Sequence, residues 1–245
     1  MSSIFPDRLW QHTQNIPEQA AIHFLESGED DLPISYQDLY LKASDFAQAL
    51  RQGGIKPGEV VVLIINYRAD LLYAFWGAIL QGAIPSILPF LTEKLNPDRY
   101  LADLTSLIGV TRPSAIITYE DFRPIIKQAI QEGSSVRSVL YLEEIPRGEN
   151  KLHPEYQGFD RAPDDIVLLQ HSSGTTGLQK GVALSHQAVF NQIDALSEAI
   201  RLDLSRDVVV SWLPLYHDMG LIAGFILPIL SGIPLVLMSP FDWVR

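Results

Sequence analysis

The chain has 245 residues, and its 47% apolar content is enough for a packed core in one large domain or two small ones. It contains no cysteine, which excludes disulfides, cysteine-ligated zinc, iron–sulfur clusters and thiol nucleophiles, and which fits a reducing compartment. The formal net charge of −11 argues against a nucleic-acid partner, and ordinary solubility is a sufficient reason for it.

The N-terminal residues, MSSIFPDRLWQHTQ, show neither a basic start followed by an apolar stretch nor a small-residue cleavage site. We therefore expect no secretion signal and, by default, a cytoplasmic location. The most membrane-like segment, residues 219–238, is interrupted by Pro228, Gly232 and Pro234. This pattern predicts a buried helix followed by a buried strand, and no membrane span.

The clearest helix is SYQDLYLKASDFAQALRQGG, residues 35–54. Ser35 is its expected cap with Asp38 three residues further on, and Gly53 and Gly54 end it. The strands predicted after it are VVVLII (60–65), IPSIL (84–88), SAIIT (114–118), SVLYL (138–142), IVLLQ (166–170), VAL (182–184), DVVVSW (207–212) and IPLVLM (233–238). The helices predicted between them are residues 69–82, 97–109, 120–130 and 185–202.

Short apolar strands that alternate with amphipathic helices predict an α/β fold, in which a parallel sheet is covered by helices on both faces. The sequence shows no internal repeat. Residues 143–165 carry three prolines, two glycines and no periodicity, which predicts a linker or surface excursion. We interpret them as a loop within one domain, because the pattern is of the same kind on both sides.

Residues 171–181, HSSGTTGLQKG, follow the strand IVLLQ and combine three glycines, four hydroxyl side chains and one lysine. In an open α/β sheet, ligands bind beyond the carboxyl ends of the strands. Glycines let backbone N–H groups approach an anion, hydroxyls donate hydrogen bonds and a lysine adds a cation, so this set suits a polyphosphate. A flexible turn without a ligand explains the composition equally well.

The spacing is not that of a Walker loop, because Gln179 precedes Lys180 where glycine is needed and Gly181 follows it. The stretch instead resembles the phosphate-binding signature of the adenylate-forming superfamily, (Ser/Thr)-Ser-Gly-(Ser/Thr)-Thr-Gly-x-Pro-Lys-Gly. Gln179 replaces the proline of that pattern, which should loosen the turn before Lys180 without removing a donor. The matching residues are Ser172, Ser173, Gly174, Thr175, Thr176, Gly177, Lys180 and Gly181.

Two longer segments extend the resemblance over almost the whole chain. Residues 35–64 look like the early helix and strand of these enzymes, and residues 210–240 look like a segment of the fatty acyl-AMP ligases. The resemblance implies that a fatty acid attacks the α-phosphate of Mg-ATP, giving an acyl adenylate and pyrophosphate. It further implies ATP and Mg²⁺ as cofactors and transfer of the acyl group to the phosphopantetheine of an acyl carrier protein.

The resemblance also implies roles for single residues. Lys180 is expected to contact the β- or γ-phosphate, the alternative being a solvated lysine at a helix start. His217 is expected in the acyl pocket, the alternative being a core histidine bonded to backbone; no second His/Asp cluster supports a metal there. Trp212 is a further pocket candidate, with a core role as its alternative. His171 and His186 are interpreted as structural or capping residues, and no catalytic residue is identified.

Several family elements come later in the family's sequence than Arg245: the adenine-binding segment, the ribose-binding acid and the C-terminal domain with its lysine. We therefore expect residues 1–245 to be the N-terminal ATP- and acyl-binding domain without the C-terminal domain, inactive alone and prone to self-association through exposed apolar surface. An acyl-CoA synthetase of the same superfamily and a non-catalytic interaction or sensing module stay open as alternatives. The intact Lys180 and hydroxyl set favours an enzyme.

Overall fold

The computed structural model of the protein describes residues 4–26, 30–92, 95–148, 152, 155–172 and 180–240. Within these ranges strands and helices alternate, and the predicted α/β class is confirmed. The helices are α1 (Phe5–Asn15), α2 (Tyr36–Gln52), α3 (Ala69–Leu80), α4 (Pro97–Thr111), α5 (Arg123–Ala129), α6 (His186–Ile200) and α7 (Leu227–Ser231). The strands are β1 (Ala20–Leu25), β2 (Leu32–Ser35), β3 (Val60–Ile64), β4 (Ile84–Ile87), β5 (Ala115–Thr118), β6 (Ser138–Tyr141), β7 (Ile166–Ser172), β8 (Lys180–Ser185), β9 (Val209–Ser211) and β10 (Leu235–Met238).

One four-stranded sheet is parallel throughout, in the order β4-β3-β5-β6. Alternate residues of β3 lie on opposite faces of this sheet. Val61 and Leu63 belong to the main core, which includes α2 and α3, whereas Val62 and Ile64 pack in a second cluster with α4 and α5. The prediction of a parallel sheet covered on both faces is confirmed for this sheet, and double coverage explains why its strands are continuous apolar runs.

The second four-stranded sheet joins the two ends of the described chain, in the order β2-β1-β10-β9. Strand β10 is parallel to both β1 and β9, but β1 and β2 are antiparallel. Strands β7 and β8 form a third, antiparallel sheet. The two antiparallel pairs add to the predicted parallel pairing, because a short connection such as that between β1 and β2 joins neighbouring strands in opposite directions.

The predicted helix at residues 35–54 is confirmed as α2, and its cap is a complete capping box. The Ser35 hydroxyl accepts from the Asp38 backbone N–H at 3.0 Å, and an Asp38 carboxylate oxygen accepts from the Ser35 N–H at 3.4 Å. Helix α2 packs closely against α3 at Gly77, where an added Cβ would lie 2.5 Å from the Phe46 Cβ. Glycine is required at this helix crossing because nothing larger fits.

The apolar segment 219–238 is a buried helix followed by a buried strand, as predicted. Residues Met219–Ile226 are π-helical, α7 continues directly from them, and β10 follows after Gly232, which adopts a positive φ of 81°. The ring of Phe225 packs against those of Phe75 and Trp76, at centroid distances of 5.5 and 6.4 Å. Within the described ranges, no helix combines the length and apolar character needed to cross a bilayer.

The expectation of a surface excursion at residues 143–165 is wrong for its second half. A short 3₁₀ helix covers Gln157–Asp160, and Tyr156 before it is buried in the main core. Gly158 sits so close to the carbonyls of Ile79 and Leu80 that a Cβ would clash with both. The prolines and glycines that suggested a loop therefore include a glycine that the packing against α3 requires.

Candidate functional site

The glycine- and hydroxyl-rich loop connects the two strands of an antiparallel hairpin. In this pairing Ser172 stands opposite Lys180 and His171 stands opposite Gly181. As predicted, the loop follows the carboxyl end of β7. It is followed by strand β8, which begins at Lys180, and not by a helix. The helix start is wrong, because Lys180 is the first residue of β8 and α6 begins only at His186, whereas the environment of the Lys180 side chain lies outside what the structure describes.

Most of the predicted phosphate-binding residues cannot be placed. Ser173, Gly174, Thr175, Thr176 and Gly177 lie outside the described residues, and only the backbones of Ser172 and Lys180 are described. Their phosphate contacts stay a prediction. The pairing of β7 with β8 holds the two ends of the loop, Ser172 and Lys180, side by side.

The far end of the hairpin is attached to the helical layer through His186. Ser185 caps α6 by accepting from the Ala188 N–H at 3.2 Å. The His186 Nδ1 accepts from the backbone N–H of Phe5 at 3.2 Å, and the two rings meet edge to face. Burial lowers the pKa of His186 to about 4, with the Arg161 charge as a smaller contribution in the same direction. This histidine is a neutral structural group, as interpreted from the sequence.

A cavity of about 320 Å³ lies beside the hairpin. Strand residues from β7 and β8, one residue of α6 and the start of the π-helical segment surround it, so that elements distant in sequence meet there. Its wall is part polar and part apolar. The lining residues are Gln170, His171, Val182, Leu184, Gln192, His217, Asp218 and Ile222.

His217 is the predicted pocket residue that borders this cavity. Its backbone N–H donates to the Pro214 carbonyl at 3.1 Å, and its exposed ring contacts that of Tyr216, with centroids 4.9 Å apart. The neighbouring Asp218 is also exposed, and its carboxylate accepts from the Met219 N–H at 2.8 Å. The alternative of a core histidine is wrong, because His217 is exposed, and its role toward an acyl group stays a prediction.

Trp212 does not lie among the described residues that line the cavity. Its side chain is 40% exposed and follows the edge strand β9. Leu221 and Phe225, which are apolar residues of the π-helical segment, are buried parts of the main core. A pocket role for Trp212 therefore stays a prediction.

His171 is buried in a strand, which agrees with a structural role and not with a capping role. It occupies the end of β7, where it caps no helix, and it is 9% exposed. Neither ring nitrogen has a hydrogen-bond partner among the described residues, and burial lowers its pKa. The only sequence signal for it was its place immediately before the loop. Gln170 and Gln192, which also line the cavity, carried no signal.

The described residues show no group of three or more His, Cys, Asp or Glu side chains arranged to hold a metal ion. Of the described carboxylates, only Asp218 borders the cavity.

A family model for AMP-binding enzymes matches residues 9–244. The chain therefore belongs to the family of AMP-binding, adenylate-forming enzymes, whose members use ATP. The match spans nearly the whole chain, including both four-stranded sheets and the hairpin.

Individual relatives show which branches of the family are similar. The medium-chain-fatty-acid–[acyl-carrier-protein] ligase JamA of Moorena producens is 28% identical over 90% of this chain and 37% of its own length. The 4-coumarate–CoA ligase 2 of Petroselinum crispum is 29% identical over 98% of this chain and 45% of its own. The crystal structure of a fatty acyl-adenylate ligase from Legionella pneumophila, in complex with acyl adenylate and pyrophosphate, is 25% identical with a TM-score of 0.79, over 98% of this chain and 40% of that one. The chain thus spans less than half the length of these relatives.

Proposed function

We propose that the chain is the ATP- and acyl-binding part of a fatty acyl-AMP ligase. The observation that carries the proposal is the hairpin register, in which Ser172 and Lys180 face each other beside a cavity of about 320 Å³. A loop with phosphate-binding composition thereby leaves a hairpin that lines an open cavity of a size for a small molecule. Both are needed by an enzyme that joins a carboxylate to a nucleotide.

The proposed reaction forms a bond between a carboxylate oxygen of the acid and the α-phosphorus of ATP. The bond from that phosphorus to the bridging oxygen breaks, and pyrophosphate leaves with its electron pair. Loop N–H groups, hydroxyls and Lys180 are proposed to stabilise the negative charge that grows on the leaving group. Mg²⁺ is proposed to arrive with the triphosphate and to share that charge, so no single loop donor need be indispensable.

A fatty acid is the proposed substrate. Val182, Leu184 and Ile222 give one part of the cavity an apolar wall, and two of the similar proteins are named for fatty acids. Each buried methylene contributes up to about 0.8 kcal/mol to binding. Acids with long alkyl tails should therefore be activated better than acetate or amino acids, and a preference for acetate or an amino acid would count against the proposal.

An acyl carrier protein is the proposed acceptor of the acyl group, as the name of JamA indicates for that relative. Coenzyme A is the second candidate, because the similarity to a 4-coumarate–CoA ligase is of the same size. Supplying carrier protein or coenzyme A to a preformed adenylate separates the two. We also propose that the 245 residues do not form adenylate alone, since they span less than half the length of the similar enzymes.

Lys180→Ala in the longest available form of the protein tests the phosphate site. The readout is carboxylate-dependent exchange of pyrophosphate into ATP. Loss of one charge-assisted contact should lower the exchange rate by about 1–3 kcal/mol of transition-state stabilisation, or roughly 5- to 150-fold. Lys127→Ala, an exposed lysine of α5, is the matched control and should leave exchange unchanged. Equal rates in both variants would remove Lys180 from the phosphate site.

A further inference from the structure

Gln170 places a mostly buried amide at the cavity beside the hairpin. Its side chain is only 9% exposed, and it lines the cavity. The amide group has no hydrogen-bond partner among the described residues, and neither its nitrogen nor its oxygen is completely buried. The small part of this side chain that remains accessible therefore includes a hydrogen-bonding group that the described chain leaves unused.

The strand pairing places this amide on the apolar wall of the cavity. Gln170 stands opposite Val182, and residues directly opposite each other in an antiparallel pair share one face of the sheet. Leu184 lies two residues after Val182 and therefore on the same face, and both line the cavity. The ring of the next residue, His171, lies on the other face of the hairpin with both nitrogens buried. Gln170 is thus the polar group of β7 that a molecule in the cavity can reach.

The surroundings of the amide are mixed. Ile222, which is 4% exposed, extends the apolar wall, and the exposed side chain of Gln192 on α6 adds a second amide at the cavity. The volume of about 320 Å³ is at the lower end of the range for small-molecule sites, so an acid of medium chain length is a suitable probe. A ligand in this cavity meets mainly hydrocarbon, interrupted by an amide.

An unsubstituted alkyl chain does not satisfy such a wall. It displaces water from the Gln170 amide and offers no hydrogen bond in return, and a polar group left unpaired loses more than the net value of one bond. A hydroxyl on the chain can accept from the amide N–H or donate to the amide oxygen. Sites built to hydrogen-bond a substrate hydroxyl discriminate strongly against the analogue that lacks it.

We propose that Gln170 is a specificity-determining residue and that the cavity takes a fatty acid with a hydroxyl group on its chain. This inference rests on the proposed function, which it deepens by naming the substrate class. The Gln170 amide hydrogen-bonds the hydroxyl, while Val182, Leu184 and Ile222 contact the hydrocarbon beside it.

Pyrophosphate exchange by the longest available form of the protein tests this preference. Octanoate is compared with octanoates that carry a single hydroxyl at each chain carbon in turn, and at least one of these should have a kcat/KM about tenfold higher than that of octanoate. Gln170→Leu, apolar and similar in size, should remove the preference by raising kcat/KM for octanoate and lowering it for the hydroxy acid. Gln128→Leu, at an exposed position of α5 outside the cavity lining, is the matched control and should keep the preference.

Binding to the 245-residue chain gives a readout that does not depend on catalysis. The side-chain NH₂ resonances of Gln170 should shift in ¹⁵N spectra when the preferred hydroxyoctanoate binds, and shift less with octanoate at equal occupancy. Gln170→Leu should bind the two acids with similar Kd. Because leucine replaces an amide without a partner among the described residues, the variant should resist urea at least as well as the unmodified chain, which separates lost selectivity from misfolding.

Three outcomes would overturn the inference: octanoate activated as well as every hydroxyoctanoate, a preference that survives in Gln170→Leu, or no binding of either acid to the chain. The proposed function fails on a different result. Absence of exchange with all of these acids, together with Gln170-dependent binding of a hydroxyoctanoate, would refute the ligase and leave the hydroxyl-selective site. Exchange that needs Lys180 but is indifferent to the hydroxyl would refute the inference and leave the proposed function standing.

Discussion

The hydrogen bond between the Phe5 N–H and the His186 Nδ1 should make the fold sensitive to mild acid. Protonated imidazole cannot accept this bond, and the ring is 2% exposed. The pKa is about 4 in the folded chain against 6.5 for an ordinary histidine. Between these values the unfolded chain binds a proton that the folded chain does not, so stability is present above pH 6.5 and falls as the pH drops toward 4.

The size of the effect follows from the two pKa values. Each pH unit within the window changes the free energy of unfolding by about 1.4 kcal/mol, and partial titration near pH 6.5 reduces the total. From pH 7 to pH 5, His186 should account for a loss of about 2 kcal/mol. Burial is the main cause of the low pKa of His186. Two smaller charge effects act on it in opposite directions, because the Arg161 charge lowers the pKa and the Asp165 charge raises it.

Urea unfolding of the chain and of His186→Asn at both pH values isolates this contribution. Asparagine can keep an acceptor oxygen near the position of Nδ1 but does not titrate. Other groups also change the stability in acid. One is Glu59, whose pKa is lowered mainly by its hydrogen bond from Arg137. These groups are present in both proteins, so their effect cancels in the comparison. The unmodified chain should lose about 2 kcal/mol more than the variant. Equal losses in the two proteins would show that His186 is not neutral at pH 5, or that the bond to Phe5 does not form.

Further predictions concern packing and association. Gly77→Ala should destabilise the chain by about 3 kcal/mol or more, since the new Cβ would lie 2.5 Å from that of Phe46. In Gly109→Ala the new Cβ meets nothing within 4 Å, so this control substitution should stabilise the chain by about 0.5–1 kcal/mol. The midpoints of urea unfolding measure both changes. Tyr36→Phe removes a buried hydroxyl that donates to a backbone carbonyl at 3.0 Å, and it should cost about 1 kcal/mol in the same assay. Strand β9 is a sheet edge on which Val210 is 52% exposed, so the chain should self-associate in sedimentation experiments and Val210→Lys should reduce this; a monomeric unmodified chain would contradict the prediction.

Elements specified by their own residues could be predicted from the sequence. The capping box of α2 depends only on Ser35 and Asp38, and β3 is recognisable because an uninterrupted apolar strand suits a sheet covered on both faces. Helix α1 carries a local signal as well, in the buried pair Phe5 and Leu9 four residues apart. These features need no knowledge of where the rest of the chain lies.

Features that join distant parts of the chain could not be predicted. Strand β1 pairs with β10, more than two hundred residues away in sequence, and nothing local in either strand specifies the other. The cavity has the same origin, because Gln170, Gln192 and Ile222 come from three separate elements. The composition of the loop could be recognised in the sequence. The hairpin that holds it, and the burial of His171 without a hydrogen-bond partner among the described residues, depend on the three-dimensional fold.

The antiparallel register gives the loop a support different from that of a Walker loop, whose phosphate-binding backbone leads into a helix. The pairing of β7 with β8 ends with Ser172 opposite Lys180. The hydrogen bonds between the two strands therefore offset the entropy cost of bringing the ends of the loop together. Positioning of the loop then depends on what holds the hairpin down. Val167 and Leu168 are buried in the main core, and the Ser185 cap and the His186 bond to Phe5 fix the following helix. Weakening of any of these contacts should therefore loosen the two ends of the loop without altering any of the residues proposed to bind phosphate.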